Sequence, residues 1–180
     1  MPVMQRVSPE EARDRVAGLL GDKASEVQLL HGHVDVTCPP DAVRDVMTAL
    51  RDGDGVRCRF FTFLSAIDRS EVADNPGGLE VLIHVYAPDS TIHVNVHVPV
   101  DAEAPSCPSI TDIYAGAHWA ERETHEMFGI DFPGHPRLVN LYLPEDFDGH
   151  PLLRSFKLPS RIVKDWPGAK DPEEAAAGGR

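Results

Sequence analysis

The sequence predicts an α+β fold in which a mixed or antiparallel sheet of about five strands and two to three helices precede an extended, irregular C-terminal docking arm. Residues 92–98 alternate apolar and polar side chains with the period of a strand. Residues 41–52 carry apolar side chains at helical spacing. After residue 131 neither periodicity persists. A chain of 180 residues with 42% hydrophobic content is large enough for one core.

Two helices are predicted in the first third of the chain. Ser8 supplies an N-cap, Pro9 occupies the first turn and Glu11 completes a capping box, and Gly21 follows the last apolar position. The second helix covers residues 41–52, with Gly53 beyond its end. Each helix presents one apolar stripe to a core.

A third helix is predicted to begin after Pro108 and to end at Gly129. Ser109 and Asp112 form a possible capping box at its start. Apolar residues recur at helical spacing until the glycine, which favours the left-handed conformation of a helix end.

Five strands are predicted around these helices. Residues 27–30 and 34–37 flank the turn His31-Gly32-His33, in which glycine takes a positive φ. Residues 59–67, 79–87 and 92–98 are rich in β-branched and aromatic side chains. Residues 68–78 connect two of them as a surface loop.

The segment from residue 131 onward is predicted to pack against a partner. Its prolines recur throughout, yet it carries too many apolar residues for a solvated tail. We therefore divide the chain into an α+β domain (residues 1–130), a partner-wrapping arm (131–170) and a frayed tail (171–180).

Charge and cysteine content narrow the possible partners. A net charge of −12 disfavours nucleic acid and anionic lipid. Cys38, Cys58 and Cys107 show no paired spacing, which disfavours a disulfide framework, a zinc knuckle and an iron–sulfur cluster, and indicates a reducing cytoplasm. The first residues lack the apolar core of a signal peptide, and no apolar run is long enough to cross a membrane, so we expect neither secretion nor insertion.

Two histidine groups are candidate metal ligands. His118, Glu121 and His125 share one face of the third helix; the alternative is a solvated or partner-facing stripe in which Glu121 and His125 pair locally. His93, Asn95 and His97 share one face of a strand, with His84 beside them. A zinc hydrolase site and an exposed polar sheet face both fit this second pattern.

The two Gly-His-Pro turns, at residues 134–136 and 149–151, allow a catalytic and a structural interpretation. A general base needs a nucleophile, and no G-x-S-x-G elbow, phosphate-binding loop or dinucleotide fingerprint occurs. The alternative is that each imidazole bonds backbone groups of an irregular segment. Residues 151–164 hold Arg154, Lys157, Arg161 and Lys164 without an acid, which fits an acidic protein groove.

A longer signature carries a family resemblance. Its parts are W-x-E-R-E at residues 119–123, F-G-I at 128–130, Phe132, the two Gly-His-Pro turns, and L-P-E-D at 143–146. The order and spacing resemble the C subunit of the proton-pumping NADH:quinone oxidoreductase, respiratory complex I. The chain departs from the usual pattern at His125-Glu126 and at Leu153-Arg154, which leaves open the equivalent subunit of a membrane-bound hydrogenase.

The resemblance implies a non-catalytic subunit on the cytoplasmic side of the cell membrane, without activity of its own. It would dock against the large quinone-site subunit and neighbouring iron–sulfur subunits, while flavin, iron–sulfur clusters and quinone belong to those partners. Residues 121–123 would form buried or interfacial ion pairs. A stand-alone hydrolase with a histidine-ligated metal stays the alternative from another class. The resemblance implies a partner interface formed by Trp119, Glu121, Arg122, Glu123, Phe128, Gly129, Phe132, Gly134, His135, Pro136, Leu143, Pro144, Gly149, His150, Pro151, Leu152, Arg154 and Lys157.

Overall fold

The computed structural model describes residues 6–70 and 77–158. The predicted tail, the last part of the predicted arm with Arg161 and Lys164, and most of the loop between the third and fourth strands lie outside these ranges. The elements are α1 (Pro9–Leu20), β1 (Glu26–Leu30), β2 (His33–Thr37), α2 (Val43–Asp52), β3 (Phe60–Asp68), β4 (Leu79–Ala87), β5 (Ile92–Val100) and α3 (Ala117–Phe128).

The five strands form one mixed sheet in the order β1-β2-β5-β4-β3. All neighbours are antiparallel except β2 and β5, which run parallel with Val34 opposite Val94. This confirms the predicted α+β class and the mixed sheet. The β1–β2 turn places both His31 (φ 51°) and Gly32 (φ 83°) in the left-handed region, as a two-residue hairpin with matching twist requires.

The first two helices begin and end close to the predicted positions. The Ser8 hydroxyl accepts a hydrogen bond from the Glu11 amide at 3.2 Å, which satisfies one free donor at the start of α1. In α2, Val43, Val46, Met47 and Leu50 are all fully buried, as their spacing predicts. These helices cover apolar side chains of the sheet and close one continuous core.

Helix α3 begins later than predicted. Residues 110–114 form a separate turn, in which the Tyr114 amide donates to the Ile110 carbonyl, and α3 starts at Ala117 without a side-chain cap. The predicted capping box at Ser109 and Asp112 is wrong because Asp112 is instead held by Arg44 of α2. The predicted end is confirmed, with Gly129 in the left-handed region at φ 74°.

The two faces of the sheet differ in character. In β5, Ile92, Val94, Val96 and Val98 are buried in the core, whereas the alternating residues point to the opposite side. We call that side the polar face. Its charged, histidine and amide side chains are His33, Asp35, Glu80, His84, His93, Asn95 and His97.

The chain after α3 carries no further helix or strand as far as residue 158. We call residues 131–158 the arm. Its second residue, Phe132, still belongs to the core, because it is only 2% exposed. No helix in the described part of the chain has the length and apolar character needed to cross a membrane.

Candidate functional site

Glu126 of α3 binds the backbone of the arm. Its carboxylate accepts hydrogen bonds from the amides of Leu141 (2.8 Å), Tyr142 (3.1 Å) and Leu143. Burial by itself would raise the pKa of Glu126, but the three backbone donors outweigh it and hold the pKa below its usual range. An irregular segment whose amides would otherwise need water is thereby fixed on the helix.

Arg122, one turn earlier on α3, binds the preceding residues of the arm. Its guanidinium donates to the carbonyl oxygens of Val139 at 2.8 Å and Asn140 at 3.0 Å. Arg122 therefore donates hydrogen bonds to backbone carbonyl groups of the arm, while Glu126 accepts hydrogen bonds from its backbone amides. Glu123, between them, is exposed.

The two Gly-His-Pro turns bring their imidazoles to the backbone of α3. His135 Nε2 lies 3.0 Å from the His118 carbonyl oxygen, and His150 Nδ1 lies 2.9 Å from the Glu126 carbonyl oxygen. Gly134 (φ 91°) and Gly149 (φ 92°) supply the left-handed backbone of each turn. These contacts support the structural interpretation of the turns.

Gly129 joins the end of α3 to the second turn. A Cβ atom at this position would lie 2.6 Å from Nε2 of His150, closer than real Cβ atoms come to other atoms. Glycine is therefore required at this position for two reasons: the backbone has a positive φ, and the His150 imidazole leaves no room for a Cβ atom.

Several residues of the predicted partner interface lie inside the chain itself. Glu121 is fully buried and accepts from the Ile110 amide at 2.8 Å, and Phe128 and Phe132 are 7% and 2% exposed. Burial raises the pKa of Glu121, and within the described residues neither a cation nor His125 forms an ion pair with it. His125 instead lies 2.8 Å from the Ile130 carbonyl oxygen, so the predicted local pair and solvated stripe are wrong. The packing of α3 buries the Glu121 side chain, and the spacing of residues along the sequence does not reveal this packing.

The remaining predicted interface residues are more accessible, and two of them, Trp119 (68% exposed) and Leu152 (53%), are large apolar side chains. Tyr142, which is outside the predicted interface, is 64% exposed. We call these three, with Val139, Phe147 and Leu158, the apolar surface; together they are six of the nine large exposed hydrophobic residues in the described part. Leu143 and Pro151 are half-buried, and Pro136, Pro144 and Lys157 are exposed.

The arm also reaches the end of β3. The Arg154 amide donates to the Asp68 carboxylate and the Arg154 guanidinium donates to the Asp68 carbonyl oxygen, both at 2.9 Å. Trp119 borders a groove whose other wall is formed by the first Gly-His-Pro turn. The groove is lined by Thr111, Asp112, Ala115, His118, Gly134 and Pro136.

The histidines of the polar face fall into two groups. In the first group, Nδ1 of His93 lies 3.3 Å from Nε2 of His84. His33 of β2 stacks on His93 with ring centroids 4.6 Å apart. His97 is separate, 3.1 Å from the Glu80 carboxylate and 3.4 Å from that of Asp35. The expected exposed face is wrong for His84, which is only 7% exposed. Sequence reasoning missed His33 and Glu126, because their neighbours come from distant residues.

The His97 pair predicts a specific pH dependence. The hydrogen bond to Glu80 raises the pKa of His97 in spite of burial. Burial would raise the pKa of Glu80, but His97 and Arg69 outweigh it and lower the pKa. The contribution of protonated His97 to the free energy of unfolding is complete below its ordinary pKa of about 6.5. It is lost as pH rises through the raised pKa. The Glu80 contribution is lost as pH falls through the lowered value.

We therefore expect the stability advantage of the natural protein over His97→Asn to shrink as pH rises from about 6 to 8.5. Urea midpoints measured across this range check the expectation. His84 and His93, whose pKa values burial lowers, titrate in both proteins and cancel in the difference. An advantage that grows with pH would contradict the assignment.

The three cysteines lie in the core, and the Cys107 amide donates to the carbonyl oxygen of Asp131, the first residue of the arm, at 2.9 Å. Each thiol is buried and free, and burial raises the pKa of Cys38, Cys58 and Cys107 to about 12. Burial therefore keeps these thiols in their protonated form.

Comparison with known proteins gives a consistent result. The family model described as the 30 kDa subunit of respiratory-chain NADH dehydrogenase matches residues 36–161. The C subunit of NADH-quinone oxidoreductase from Roseiflexus sp. (strain RS-1) is 34% identical over 133 residues, which are 74% of this chain and 75% of the relative. The corresponding protein of Salinispora tropica is 28% identical over 90% of this chain, which spans 65% of that relative, less than two thirds of its length.

Two solved structures share the fold. The trypsin-resistant fragment of Nqo5 has a TM-score of 0.61 and 25% identity, and covers 71% of this chain and 99% of the fragment. A chain of the membrane-bound sulfane sulfur reductase, an archaeal respiratory membrane complex, has a TM-score of 0.62 over 76% of this chain and 77% of its own. Its 21% identity shows the fold alone.

Proposed function

Because the chain belongs to the family of the 30 kDa subunit of respiratory-chain NADH dehydrogenase, we propose that it acts as the C subunit of a bacterial NADH:quinone oxidoreductase. In this role it docks against the large quinone-site subunit and stabilises it. The complex transfers electrons from NADH to quinone and couples the transfer to proton translocation. The match of the family model to residues 36–161 confirms the resemblance of the signature to this family.

The apolar surface is the observation that carries the proposal. Helix α3 fixes the backbone of the arm through Arg122, Glu126 and the His150 turn, so the side chains beside these contacts are held outward. Large apolar side chains that stay exposed on an ordered segment are typical of a protein interface. Trp119 and Tyr142 are of the residue types that most often dominate binding energy.

We assign electron transfer to the partner subunits. Flavin, iron–sulfur clusters and quinone are placed there, and this chain is proposed to hold none of them. The high pKa values of the three buried thiols support this assignment. The isolated subunit is accordingly expected to be inactive, and to reach the cytoplasmic side of the membrane through its partners.

Co-purification from the native cell tests the proposal. A tagged chain should recover the large quinone-site subunit and the iron–sulfur subunits, and the eluate should reduce quinone with NADH. Recovery of the same subunits with hydrogenase activity would move the chain to the sister complex. A chain that elutes alone would overturn docking.

A matched pair of substitutions locates the interface. Leu152→Asp places a charge on the apolar surface, whereas Leu30→Asp does so at the end of β1, with similar exposures of 53% and 48%. We expect Leu152→Asp to reduce recovered partner at least about tenfold, because a desolvated charge disrupts an interface. Leu30→Asp should leave recovery unchanged; equal losses would show that the apolar surface has no special part.

A further inference from the structure

We propose that His33, His84 and His93 form a binding site for a divalent transition metal of the zinc class, outside the surface that docks the partner. The three residues come from three neighbouring strands. His33 and His93 stand side by side just before the Val34–Val94 pair, and His84 of β4 is opposite Asn95. All three side chains share the polar face, so the sheet itself brings them together.

The spacing of the nitrogen atoms fits such an ion. Two imidazoles bound to tetrahedral zinc at about 2.0–2.1 Å have ligand atoms roughly 3.3 Å apart. Nδ1 of His93 and Nε2 of His84 lie 3.3 Å apart. One nitrogen of each of the three rings lies within 4.8 Å of the others. Binding of an ion by all three requires the His33 ring, which stacks on His93, to turn about its soft terminal torsion.

The contacts of His84 make its Nε2 available to an ion. His84 is only 7% exposed, and its buried Nδ1 has no hydrogen-bond partner within residues 6–70 and 77–158. Buried polar atoms in folded proteins nearly always have a partner. In this part of the chain its other nitrogen, Nε2, meets only His93, a member of the same cluster. When Nε2 binds the ion, the ring proton sits on Nδ1, so the ion replaces only a contact within the cluster.

The surroundings favour a cation with nitrogen ligands. Phe63 and Tyr86 stack on His84 and His93, which limits ring orientation and excludes water from one side. Asp35 and Glu80 bring negative charge to the same face. Imidazole suits zinc, copper and nickel, whereas magnesium and calcium prefer oxygen ligands.

A bound ion would link the β1–β2 hairpin to the β4–β5 pair. His97 stays outside the site because Glu80 and Asp35 engage both of its nitrogens. The role is therefore structural, unlike the hydrolase considered from the sequence, in which His97 and His118 were candidate ligands. Three histidines leave one coordination position for water or for another protein's side chain.

The test uses the full chain with any affinity tag removed. After equilibrium dialysis against zinc chloride, metal analysis should find one zinc per natural chain, unaffected by excess magnesium. His33→Gln and His93→Gln should each weaken zinc binding at least about tenfold, since even outer contacts of zinc sites change affinity by such factors. His118→Gln, a histidine on α3, is the control and should bind as the natural chain does.

Two further readouts separate lost ligation from lost folding. Zinc should raise the thermal midpoint of the natural protein and of His118→Gln but not that of His33→Gln, because a ligand stabilises only the state that binds it. Cobalt should give the visible absorption of a four-coordinate nitrogen site in the natural chain and in His118→Gln, but not in His33→Gln or His93→Gln. Absence of stoichiometric zinc, or equal binding by His33→Gln, overturns the proposal.

Discussion

Glu126→Gln is expected to release residues 141–143 from helix α3 while leaving the sheet intact. The carboxylate accepts three backbone hydrogen bonds from the arm, and an amide group presents a donor where those amides need an acceptor. Charge-assisted hydrogen bonds contribute about 1.5–3 kcal/mol each, although the three do not add fully. We expect amide exchange at Leu141, Tyr142 and Leu143 to accelerate about a hundredfold or more.

Hydrogen exchange followed by mass spectrometry measures this change. Glu123→Gln is the matched control, because Glu123 lies on the same helix and is exposed. In the complex, Glu126→Gln should lower partner recovery as Leu152→Asp does, since the apolar surface loses its fixed backbone. Unchanged protection of residues 141–143 in Glu126→Gln would show that the arm is held by other contacts.

Phe132→Ala is expected to destabilise the isolated chain by about 3–5 kcal/mol. Phe132 is only 2% exposed and is among the largest fully buried side chains, so its removal leaves a cavity in the core. Such a loss is a large part of the roughly 5–15 kcal/mol that stabilises a typical domain. Urea unfolding of the purified chain measures the change.

Trp119→Ala provides the contrast, since Trp119 is 68% exposed. It should change the free energy of unfolding by less than about 0.5–1 kcal/mol but reduce partner binding strongly. The family signature contains both aromatic residues, and only burial separates their roles. If Phe132→Ala unfolded at the same urea concentration as the natural protein, the placement of Phe132 in the core would be wrong.

The sequence predicts the sheet well because its signals are local. Period-two alternation in β5 and the Gly32 turn of the first hairpin depend on neighbouring residues alone. The start of α1 follows likewise from Ser8 and Pro9. Each of these features appears where it is predicted.

The start of α3 shows where local reasoning fails. Ser109 and Asp112 have the spacing of a capping box, yet Asp112 binds Arg44, which lies 68 residues away. Glu121 likewise fits an exposed charged stripe, but its carboxylate is buried against the Ile110 amide. Contacts between distant segments decide both outcomes, and periodicity carries no information about them.

The functional residues also differ in whether local sequence signals or contacts between distant segments reveal them. Trp119 attracts notice in the sequence through the signature, and Tyr142 and Leu152 do so because apolar residues in an irregular segment are unusual. His33 and Glu126 do not, since each acquires its role only through register or helix packing. A strand-pairing prediction that set β2 beside β5 would have placed His33 next to His93.

The parallel pairing of β2 with β5 also fixes the order in which the chain can fold during synthesis. Val34 and Val94 are partners although they lie far apart in the chain, and β5 fills the centre of the sheet between β2 and β4. Until β5 has left the ribosome, the edge of β2 that β5 will occupy has no partner strand. At about 5–20 residues per second, that interval lasts several seconds. During this interval the backbone hydrogen-bonding groups on that edge of β2 stay exposed to solvent.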